Sequence, residues 1–408
     1  GLAANYTLSG GTHQLTVNQR PLNATLSRQY DGTTTSAGSD LSSFDALQGG
    51  ETLTLSGSGT SASANVANGI AMSSNGNLAL VDGTGLASNY SLNSTVINIT
   101  ERVLNSSGSK IYDANTDALA ADITLSNLVS GEALNHSGTA TISSANAGSY
   151  TITNLAGITI ADGSGGTASN YTLTGGTHNF TVNRRVVGVS GTRLYDATTN
   201  AVASDLSTHT NLVGTETLNL SGTGTIASKN VGSNKTVSVG TLALADGSNG
   251  GLAANYTLSG GTHQLTVNQR PLNATLSRQY DGTTTSAGSD LSSFDALQGG
   301  ETLTLSGSGT SASANVANGI AMSSNGNLAL VDGTGLASNY SLNSTVINIT
   351  ERVLNSSGSK IYDANTDALA ADITLSNLVS GEALNHSGTA TISSANAGSY
   401  TITNLAGI

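Results

Sequence analysis

Short runs in which hydrophobic and polar residues alternate fill this chain from end to end. In one such run Leu218 and Leu220 flank Asn219, and in another Val187 and Val189 flank Gly188. Alternation with a period of two places every second side chain on the same face, which is typical of a half-buried β-strand. No segment shows the sustained apolar stripe of a helix. The pattern therefore predicts an all-β protein with little or no helix.

One recurrent segment is predicted to form a β-hairpin. Tyr6 and Leu8 alternate with polar residues before a Gly-Gly pair, and Leu15 and Val17 do so after it. A Gly pair readily supplies the positive φ angles of a tight two-residue turn. The same residues recur at 256–267.

The chain is an array of repeats on two scales. Residues 1–158 recur without change as residues 251–408, which is a period of 250. Within that period a Tyr-Asp pair recurs at Tyr30, Tyr112, Tyr195, Tyr280 and Tyr362, at intervals of 82, 83, 85 and 82 residues. An Arg stands ten residues before each of these tyrosines. The repeats predict modules of about 80 residues, in sets of three different modules.

The recurrent Arg sets the predicted module boundaries. They are a C-terminal hairpin of a truncated module at 1–19, β-module 1 at 20–101, β-module 2 at 102–184, β-module 3 at 185–269, a copy of module 1 at 270–351 and a truncated copy of module 2 at 352–408. The closing segment of each module runs into the next without a Gly/Ser-rich spacer. We expect six or seven strands per module, arranged as small antiparallel β-sandwich-like (immunoglobulin-like or related) modules joined stiffly end to end in a linear array.

Composition and charge narrow the classes of function. The net charge of −12 weighs against nucleic acid and anionic membrane surfaces as partners. No apolar run approaches the roughly 18–20 residues that span a bilayer, so we expect no membrane contact in this segment. The chain has no Cys, which excludes a disulfide scaffold and cysteine-bound metals.

Four acidic positions recur in each module and are the candidate metal ligands. Carboxylate oxygens suit calcium, a possible cofactor that would stiffen module junctions. The alternative interpretation is turn chemistry, in which Asp accepts backbone hydrogen bonds, together with pairing of the recurrent Arg and Glu across strands. The wide spacing of the acids favours the second interpretation, in which no cofactor is bound. The candidates are Asp31, Asp40, Glu51, Asp82, Asp113, Asp122, Glu132, Asp162, Asp196, Asp205, Glu216 and Asp246.

The recurrent tyrosines allow two interpretations. An exposed Tyr can stack on a sugar ring, whereas a buried Tyr fills the core of an aromatic-poor module while its hydroxyl finds a polar partner. Recurrence at one position of a predicted strand favours the core role for Tyr30 and its equivalents. For catalysis the chain offers little: none of its six His recurs in all three module types, and no nucleophile or phosphate-binding motif is present. We therefore expect no enzyme and no catalytic residue.

The repeated unit resembles the glycine-rich, mostly-β modules known as MBG and YDG domains. The resemblance covers essentially the whole chain. Modules 2 and 3 depart from it at Ala114 and Ala197, which replace the Gly after Tyr-Asp, and module 3 departs at Thr215, which replaces the Gly before Glu. In module 1 the residues that carry the resemblance are Arg20, Leu22, Arg28, Tyr30, Asp31, Gly32, Gly50, Glu51, Leu53, Asp82, Gly83, Ala87, Ser88, Asn89, Tyr90 and Leu92.

The resemblance implies a function as well as a fold. Such modules occur in long bacterial surface proteins, including filamentous-haemagglutinin-like, two-partner-secreted and biofilm-matrix adhesins. It implies a structural repeat stalk at the bacterial cell surface, outside the cell, that extends a functional tip as a stiff filament. The alternative is a multivalent array in which each module weakly binds a glycan or matrix polysaccharide. The expected partners are neighbouring modules of the same chain, other stalks, and host or matrix polysaccharide.

Overall fold

A computed structural model describes all residues 1–408 and shows an all-β chain of 40 strands. Its helices are single 3-10 turns of three or four residues. The prediction of an all-β fold built from modules of about 80 residues is confirmed. The 3-10 turns are Leu2–Asn5, Gly38–Asp40, Ala87–Asn89, Ala120–Asp122, Ala168–Asn170, Ala203–Asp205, Ala253–Asn255, Gly288–Asp290, Ala337–Asn339 and Ala370–Asp372.

The strands follow the repeats of the sequence. Residues 20–101 contain β1 (Arg20–Gln29), β2 (Thr35–Ala37), β3 (Leu41–Phe44), β4 (Leu53–Ser56), β5 (Ser58–Ser61), β6 (Ala67–Ser74), β7 (Ala79–Asp82) and β8 (Tyr90–Thr100). Residues 102–184 contain β9 (Arg102–Val103), β10 (Asn105–Ile111), β11 (Asp117–Leu119), β12 (Ile123–Ser126), β13 (Leu134–Ile142), β14 (Gly148–Asn154), β15 (Ile158–Asp162), β16 (Tyr171–Thr172) and β17 (His178–Asn183).

The second half of the chain repeats this order. Residues 185–269 contain β18 (Arg185–Val186), β19 (Gly188–Leu194), β20 (Asn200–Val202), β21 (Thr208–Thr210), β22 (Leu218–Ser221), β23 (Thr223–Ile226), β24 (Gly232–Ser238), β25 (Ala243–Asp246), β26 (Tyr256–Thr257) and β27 (His263–Asn268). Residues 270–351 contain β28 (Arg270–Gln279), β29 (Thr285–Ala287), β30 (Leu291–Phe294), β31 (Leu303–Ser306), β32 (Ser308–Ser311), β33 (Ala317–Ser324), β34 (Ala329–Asp332) and β35 (Tyr340–Thr350). Residues 352–408 contain β36 (Asn355–Gly358), β37 (Asp367–Leu369), β38 (Ile373–Ser376), β39 (Thr389–Ile392) and β40 (Ile402–Asn404).

The first and last long strands of each complete module pair with each other in parallel. In module 1 the sheet order is β2-β5-β6-β8-β1-β3, so the opening strand β1 and the closing strand β8 are neighbours and neither is at an edge. Their register runs from Arg20 beside Tyr90 to Gln29 beside Thr100. The pairs β10/β17, β19/β27 and β28/β35 repeat this arrangement. The alternation pattern did not predict parallel pairing, because alternation is typical of antiparallel strands with one solvated face, and the parallel strands β1 and β8 alternate in the same way.

The predicted hairpin in the closing segment is wrong. In module 2, β16 pairs in parallel with β9, and β17 pairs in parallel with β10. Strands β16 and β17 therefore run in the same direction, and the glycines between them shift the chain sideways without reversing it. Gly175 has φ +87°, and a Cβ on Gly176 would clash with the carbonyl oxygen of Leu104. Residues 1–19, also predicted as a hairpin, contain a single 3-10 turn and no strand.

Alternate residues of the central strands form the core. Leu22, Ala24 and Leu26 of β1 are at most 1% exposed, while the residues between them face outward. Ile97 and Ile99 of β8 lie on the same side and pack with Leu26 in one cluster. Burial of large aliphatic side chains of this kind contributes roughly 1.5–3 kcal/mol each.

Contacts divide the chain into two compact units. One contains residues 1–186, 212–216 and 247–257, and the other contains residues 187–211, 217–246 and 258–408. The core of the first unit includes Leu26, Ile99, Leu104 and Tyr171. The core of the second includes Val189, Tyr195, Leu265 and Tyr340.

Candidate functional site: the module boundaries

Three of the four recurrent acidic positions serve turns within their own modules. Asp31 accepts hydrogen bonds from the backbone N–H of Thr33, at 2.9 Å, and from its hydroxyl, and it forms an ion pair with Arg28. Asp40 accepts from the N–H of Ala37 at 3.0 Å, at the start of a 3-10 turn. Asp82 accepts from the N–H of Ala87 at 2.6 Å. The turn interpretation is confirmed for these positions.

Asp31, in the first Tyr-Asp pair, is held in its charged form. Burial alone would raise the pKa of Asp31, but the hydrogen bonds from Thr33 and the guanidinium of Arg28 outweigh it and lower that pKa below its ordinary value. Module 2 keeps the same arrangement with Lys110, whose Nζ lies 2.8 Å from Asp113. Arg and Lys alternate here because either cation can pair with this carboxylate.

The residue after each Tyr-Asp pair adopts the left-handed conformation in every module. Its φ is +77° at Gly32, +63° at Ala114 and +65° at Ala197. The substitution of Ala for Gly therefore leaves the turn unchanged.

The fourth acidic position lies at the boundaries between modules. Glu132 of module 2 accepts a hydrogen bond at 2.6 Å from the hydroxyl of Tyr30 in module 1. Its other carboxylate oxygen accepts at 2.7 Å from Tyr171, which is in the closing segment of its own module. We call this arrangement the Tyr–Glu–Tyr clasp.

The clasp recurs at the next two boundaries. Glu216 accepts from Tyr112 at 2.7 Å and from Tyr256 at 2.5 Å. Glu301 accepts from Tyr195 at 2.6 Å and from Tyr340 at 2.8 Å. In all three clasps the two rings meet edge to face, with centroids 5.3–5.4 Å apart. This is a favoured geometry for aromatic pairs.

The second tyrosine of each clasp also accepts a hydrogen bond from the backbone. The N–H groups of Val129, Val213 and Gln298 donate to the hydroxyls of Tyr171, Tyr256 and Tyr340 at 3.0–3.1 Å. Burial, reinforced by the adjacent carboxylate, raises the pKa of each of these tyrosines to about 12. The same two causes raise the pKa of Tyr112 further. Each hydroxyl is thus held protonated as a donor.

The Asn of the recurrent Asn-Tyr pair binds the preceding module. Asn170 Oδ1 accepts from the N–H of Val66 at 2.9 Å, and its Nδ2 donates to Asn65 Oδ1 at 3.0 Å. Asn255 and Asn339 make the same two bonds to residues 146–147 and 230–231. All three side chains are at most 1% exposed. Sequence analysis missed this role, although the recurrence of the Asn-Tyr pair was visible.

The opening Arg of four successive modules also reaches the preceding module, at Arg102, Arg185, Arg270 and Arg352. Arg102 Nη1 donates to the carbonyl of Tyr30 at 3.4 Å, and Arg270 Nε donates to that of Tyr195 at 2.8 Å. The expected pairing of this Arg with the recurrent Glu does not form at the first boundary, where Glu132 binds tyrosines. Arg102 instead binds Asn127 and the Tyr30 carbonyl.

One boundary contains an additional cation. Lys229 Nζ lies 2.6 Å from Glu301 Oε1 and 5.9 Å from the ring centroid of Tyr195. Burial raises the pKa of Glu301, but the hydrogen bonds from Lys229, Tyr195 and Tyr340 outweigh it, so the net shift is downward. The corresponding positions in modules 1 and 2 are Ala64 and Ala145.

The structure does not assemble the candidate calcium ligands. No group of three His, Asp or Glu side chains is placed so that it could hold a metal ion. Asp31, Asp40 and Asp82 serve separate turns of one module, and Glu51 accepts a hydrogen bond from Tyr90. The two tyrosines of each clasp satisfy both oxygens of its carboxylate, which suits a structural contact.

Comparison with known proteins identifies the family. The YDG domain family matches this chain four times in tandem, at residues 12–97, 100–178, 181–265 and 263–347. These matches cover most of the chain, which belongs to the YDG domain family. It is a repeat-array protein of tandem YDG domains. No curated protein matches it. None of its helices is both long and apolar enough to span a bilayer.

Proposed function

We propose that this chain is a spacer: a structural stalk segment of a bacterial cell-surface or biofilm-matrix adhesin, which holds a functional tip away from the cell. One observation carries the proposal, namely the same set of contacts at three successive module boundaries. Each boundary combines a Tyr–Glu–Tyr clasp with a buried Asn and an opening Arg. An array that repeats its junctions this closely sets distance and direction from module to module.

The connection between modules supports stiffness. Strand β8 ends at Thr100 and β9 begins at Arg102, so one residue joins modules 1 and 2. Side-chain contacts on both sides of so short a connection restrict bending far more than a flexible linker would. The unchanged recurrence of residues 1–158 as residues 251–408 adds length and no new chemistry.

The alternative, a multivalent glycan-binding array, loses its main sequence support. Tyr30, Tyr112 and Tyr195 are at most 5% exposed, and their hydroxyls are engaged in clasps. A buried ring cannot stack on a sugar. We therefore propose a non-catalytic, calcium-independent spacer that acts outside the cell, with neighbouring modules as its principal partners.

Small-angle X-ray scattering of the 408-residue chain tests the proposal. We expect the profile of an elongated particle with little flexibility, unchanged by a calcium chelator. Replacing two clasp acids together, Glu132→Ala and Glu216→Ala, should introduce flexibility and shorten the mean end-to-end distance. The control is Glu101→Ala with Glu351→Ala, which removes the same charge from exposed connecting residues and should leave the profile unchanged.

Two results would contradict the spacer. One is a flexible profile for the unaltered chain, and the other is equal profiles for the clasp variant and the wild type. Saturable binding on a glycan array by the same protein would favour the binding-array alternative. A chelator-induced loss of stiffness would instead reinstate calcium as a cofactor.

A further inference from the structure

The cation beside each Tyr-Asp pair changes together with the residue five positions after it. In modules 1 and 3, Arg28 and Arg193 are followed at this distance by Thr, whereas in module 2 Lys110 is followed by Asn115. The unchanged copies of modules 1 and 2 keep these combinations. Pairing with the Asp accounts for either cation but not for the residue that accompanies it. The Lys and the Asn therefore share a second role.

In the modules with Arg, the Thr completes the turn. Arg28 donates a hydrogen bond to the carbonyl oxygen of Thr33, and the hydroxyl of Thr33 donates to Asp31 at 3.0 Å. In module 3, Arg193 and Thr198 make the same two contacts. This turn therefore forms without a carboxamide side chain.

In module 2 an amine, a carboxamide and a carboxylate meet. The Nζ of Lys110 lies 2.7 Å from Asn115 Oδ1 and 2.8 Å from Asp113 Oδ1. The Nδ2 of Asn115 donates to the other oxygen of Asp113 at 3.0 Å. The carboxylate thus contacts the amine with one oxygen and the amide nitrogen with the other. The side chain of Lys110 is 8% exposed, so water has little access to it.

The carboxamide carbon of Asn115 is within reach of this amine. Because a C=O bond is about 1.23 Å long, a Nζ that lies 2.7 Å from Oδ1 is at most about 3.9 Å from Cγ. The backbone N–H of Asp117 donates to the same Oδ1 at 2.9 Å. A donor at this oxygen stabilises the negative charge that develops when a nucleophile adds to the carbon. The groups are therefore arranged for attack of the amine on the amide.

The same arrangement is present in the copy of module 2. The Nζ of Lys360 lies 2.9 Å from Asn365 Oδ1 and 3.0 Å from Asp363 Oδ1. The N–H of Asp367 donates to Asn365 Oδ1 at 2.8 Å. Two sites in the chain therefore combine the same three groups with the same backbone donor.

We propose that Lys110 and Asn115 form an intramolecular isopeptide bond, and that Lys360 and Asn365 form a second one. The ammonium of Lys110 gives one proton to Asp113, and the resulting amine is the nucleophile. The bond from Nζ to Cγ of Asn115 forms, and the bond from Cγ to Nδ2 breaks. A second proton passes from Nζ to the departing nitrogen, and Asp113 then gives its proton to this ammonia, which leaves as ammonium.

The chemistry of the two cations accounts for the residues that accompany them. The guanidinium of Arg stays charged and offers no free amine, so Arg28 and Arg193 cannot form this bond. A Thr at the later position also lacks the carboxamide that would be attacked. Modules 1 and 3 therefore keep the ion pair, and only module 2 and its copy are cross-linked.

The bond closes a covalent ring around a residue of the module boundary. The ring contains residues 110–115, and Tyr112 within it donates to Glu216 of the next module. A covalent ring reduces the conformational freedom of the segment that presents this tyrosine. The cross-link lies within one module, so it does not depend on the spacer role.

Mass spectrometry of the intact 408-residue chain tests the proposal. We expect a mass below that of the sequence by two molecules of ammonia, one for each site. The double variant Lys110→Arg with Asn115→Thr has the combination of module 1, so it should fold normally, and its deficit should be one molecule. Asp113→Asn should also reduce the deficit to one, because it removes the group that transfers the protons. A mass equal to that of the sequence, or a deficit of two in the double variant, would overturn the proposal.

Amine labelling of the unfolded chain distinguishes the cross-link from a cyclised Asn, which would also lose ammonia. Cross-linked Lys110 should not react with an amine reagent, and tandem mass spectra should lack fragments that break the chain between residues 110 and 115. Lys229 and Lys235 are internal controls that should react, because their amines contact a Glu side chain and a backbone carbonyl. Labelling of Lys110 to the same extent as these two would contradict the bond.

Discussion

The hydroxyl of Tyr112 donates a 2.7 Å hydrogen bond to Glu216, although 104 residues separate the two along the chain. Tyr112 lies at the end of the opening strand of one module, and Glu216 belongs to the next. Tyr30 and Glu132 stand in the same relationship one module earlier. The Tyr-Asp pair of each module is therefore also part of the binding surface for its successor.

Removing one clasp hydroxyl should destabilise a boundary without altering its shape. Tyr256→Phe leaves an oxygen of Glu216 and the N–H of Val213 without their partner. Loss of a buried hydrogen-bond partner costs roughly 1–3 kcal/mol. We expect hydrogen exchange at the Val213 amide, measured by NMR, to become faster by the factor that corresponds to this free energy.

The chain contains its own control for this substitution. Tyr6 occupies the same position in the identical N-terminal segment and is 84% exposed. Tyr6→Phe should therefore leave exchange at Val213 unchanged. Equal effects from the two substitutions would show that the clasp does not stabilise the boundary.

Asn255→Ala should loosen the contact that its side chain makes with the preceding module. Asn255 accepts from the N–H of Ala147 at 2.8 Å and donates to Asn146 at 3.0 Å. Both bonds are lost in the variant, so the Ala147 amide should exchange faster by the equivalent of roughly 1–3 kcal/mol. Asn5→Ala, at the identical but exposed position, should have no effect there. If the Ala147 amide exchanges at the same rate in the Asn255 variant, the side chain of Asn255 does not stabilise the contact with the preceding module.

The clasps should fail in alkaline solution. Burial and then the neighbouring carboxylate raise the pKa of Tyr256 from 10.0 to about 12. Tyr171 and Tyr340 share this value. The folded state therefore holds more protons than the unfolded state between pH 10 and 12, so stability is complete below pH 10 and falls across that interval. Tyrosinate absorbance and circular dichroism should change together there, and a flat stability profile up to pH 12 would contradict the assignment.

Acid should distinguish the Lys229 boundary from the others. The pKa of Glu301 is lowered because hydrogen bonds from Lys229 and two tyrosines outweigh its burial. A lowered folded-state pKa gives stability that is present above the unfolded value and is lost as the pH falls through the folded one. Lys229→Ala should therefore move acid-induced exchange at the Gln298 amide to higher pH. Lys235→Ala removes a charge in the same module and should leave the pH of this exchange unchanged. An equal shift in pH from both substitutions would indicate a general effect of net charge.

The sequence predicted the modules and their turns but not their junctions. Alternation of apolar residues such as Leu22, Ala24 and Leu26 identifies strands, because the period of two is a local property. The hydrogen bonds that Asp31 and Asp82 accept are also local, since each carboxylate meets an N–H two or five residues away. The clasps required pairing between residues about 100 positions apart, and recurrence by itself does not say which recurrent residues meet.

The sequence also did not predict the direction of the strands in the closing segment. The Gly175–Gly176 pair resembles a hairpin turn, and only the pairing of β16 with β9 and of β17 with β10 shows that the chain continues in the same direction.

The sequence does contain one signal for the clasps, which is the spacing between their residues. The spacing from the Tyr of each Tyr-Asp pair to the Glu of the next module stays within 102–106 residues, whereas an unconstrained surface acid would drift.

The parallel pairing of β1 with β8 has a mechanical consequence. The chain enters module 1 at Arg20 and leaves at Thr100, and these residues lie at opposite ends of two neighbouring strands. Tension along the chain would slide the strands past each other and strain all of their hydrogen bonds at once. An antiparallel hairpin pulled at its open end would instead separate one bond at a time. Each complete module is thus arranged so that tension along the chain loads the paired opening and closing strands in shear.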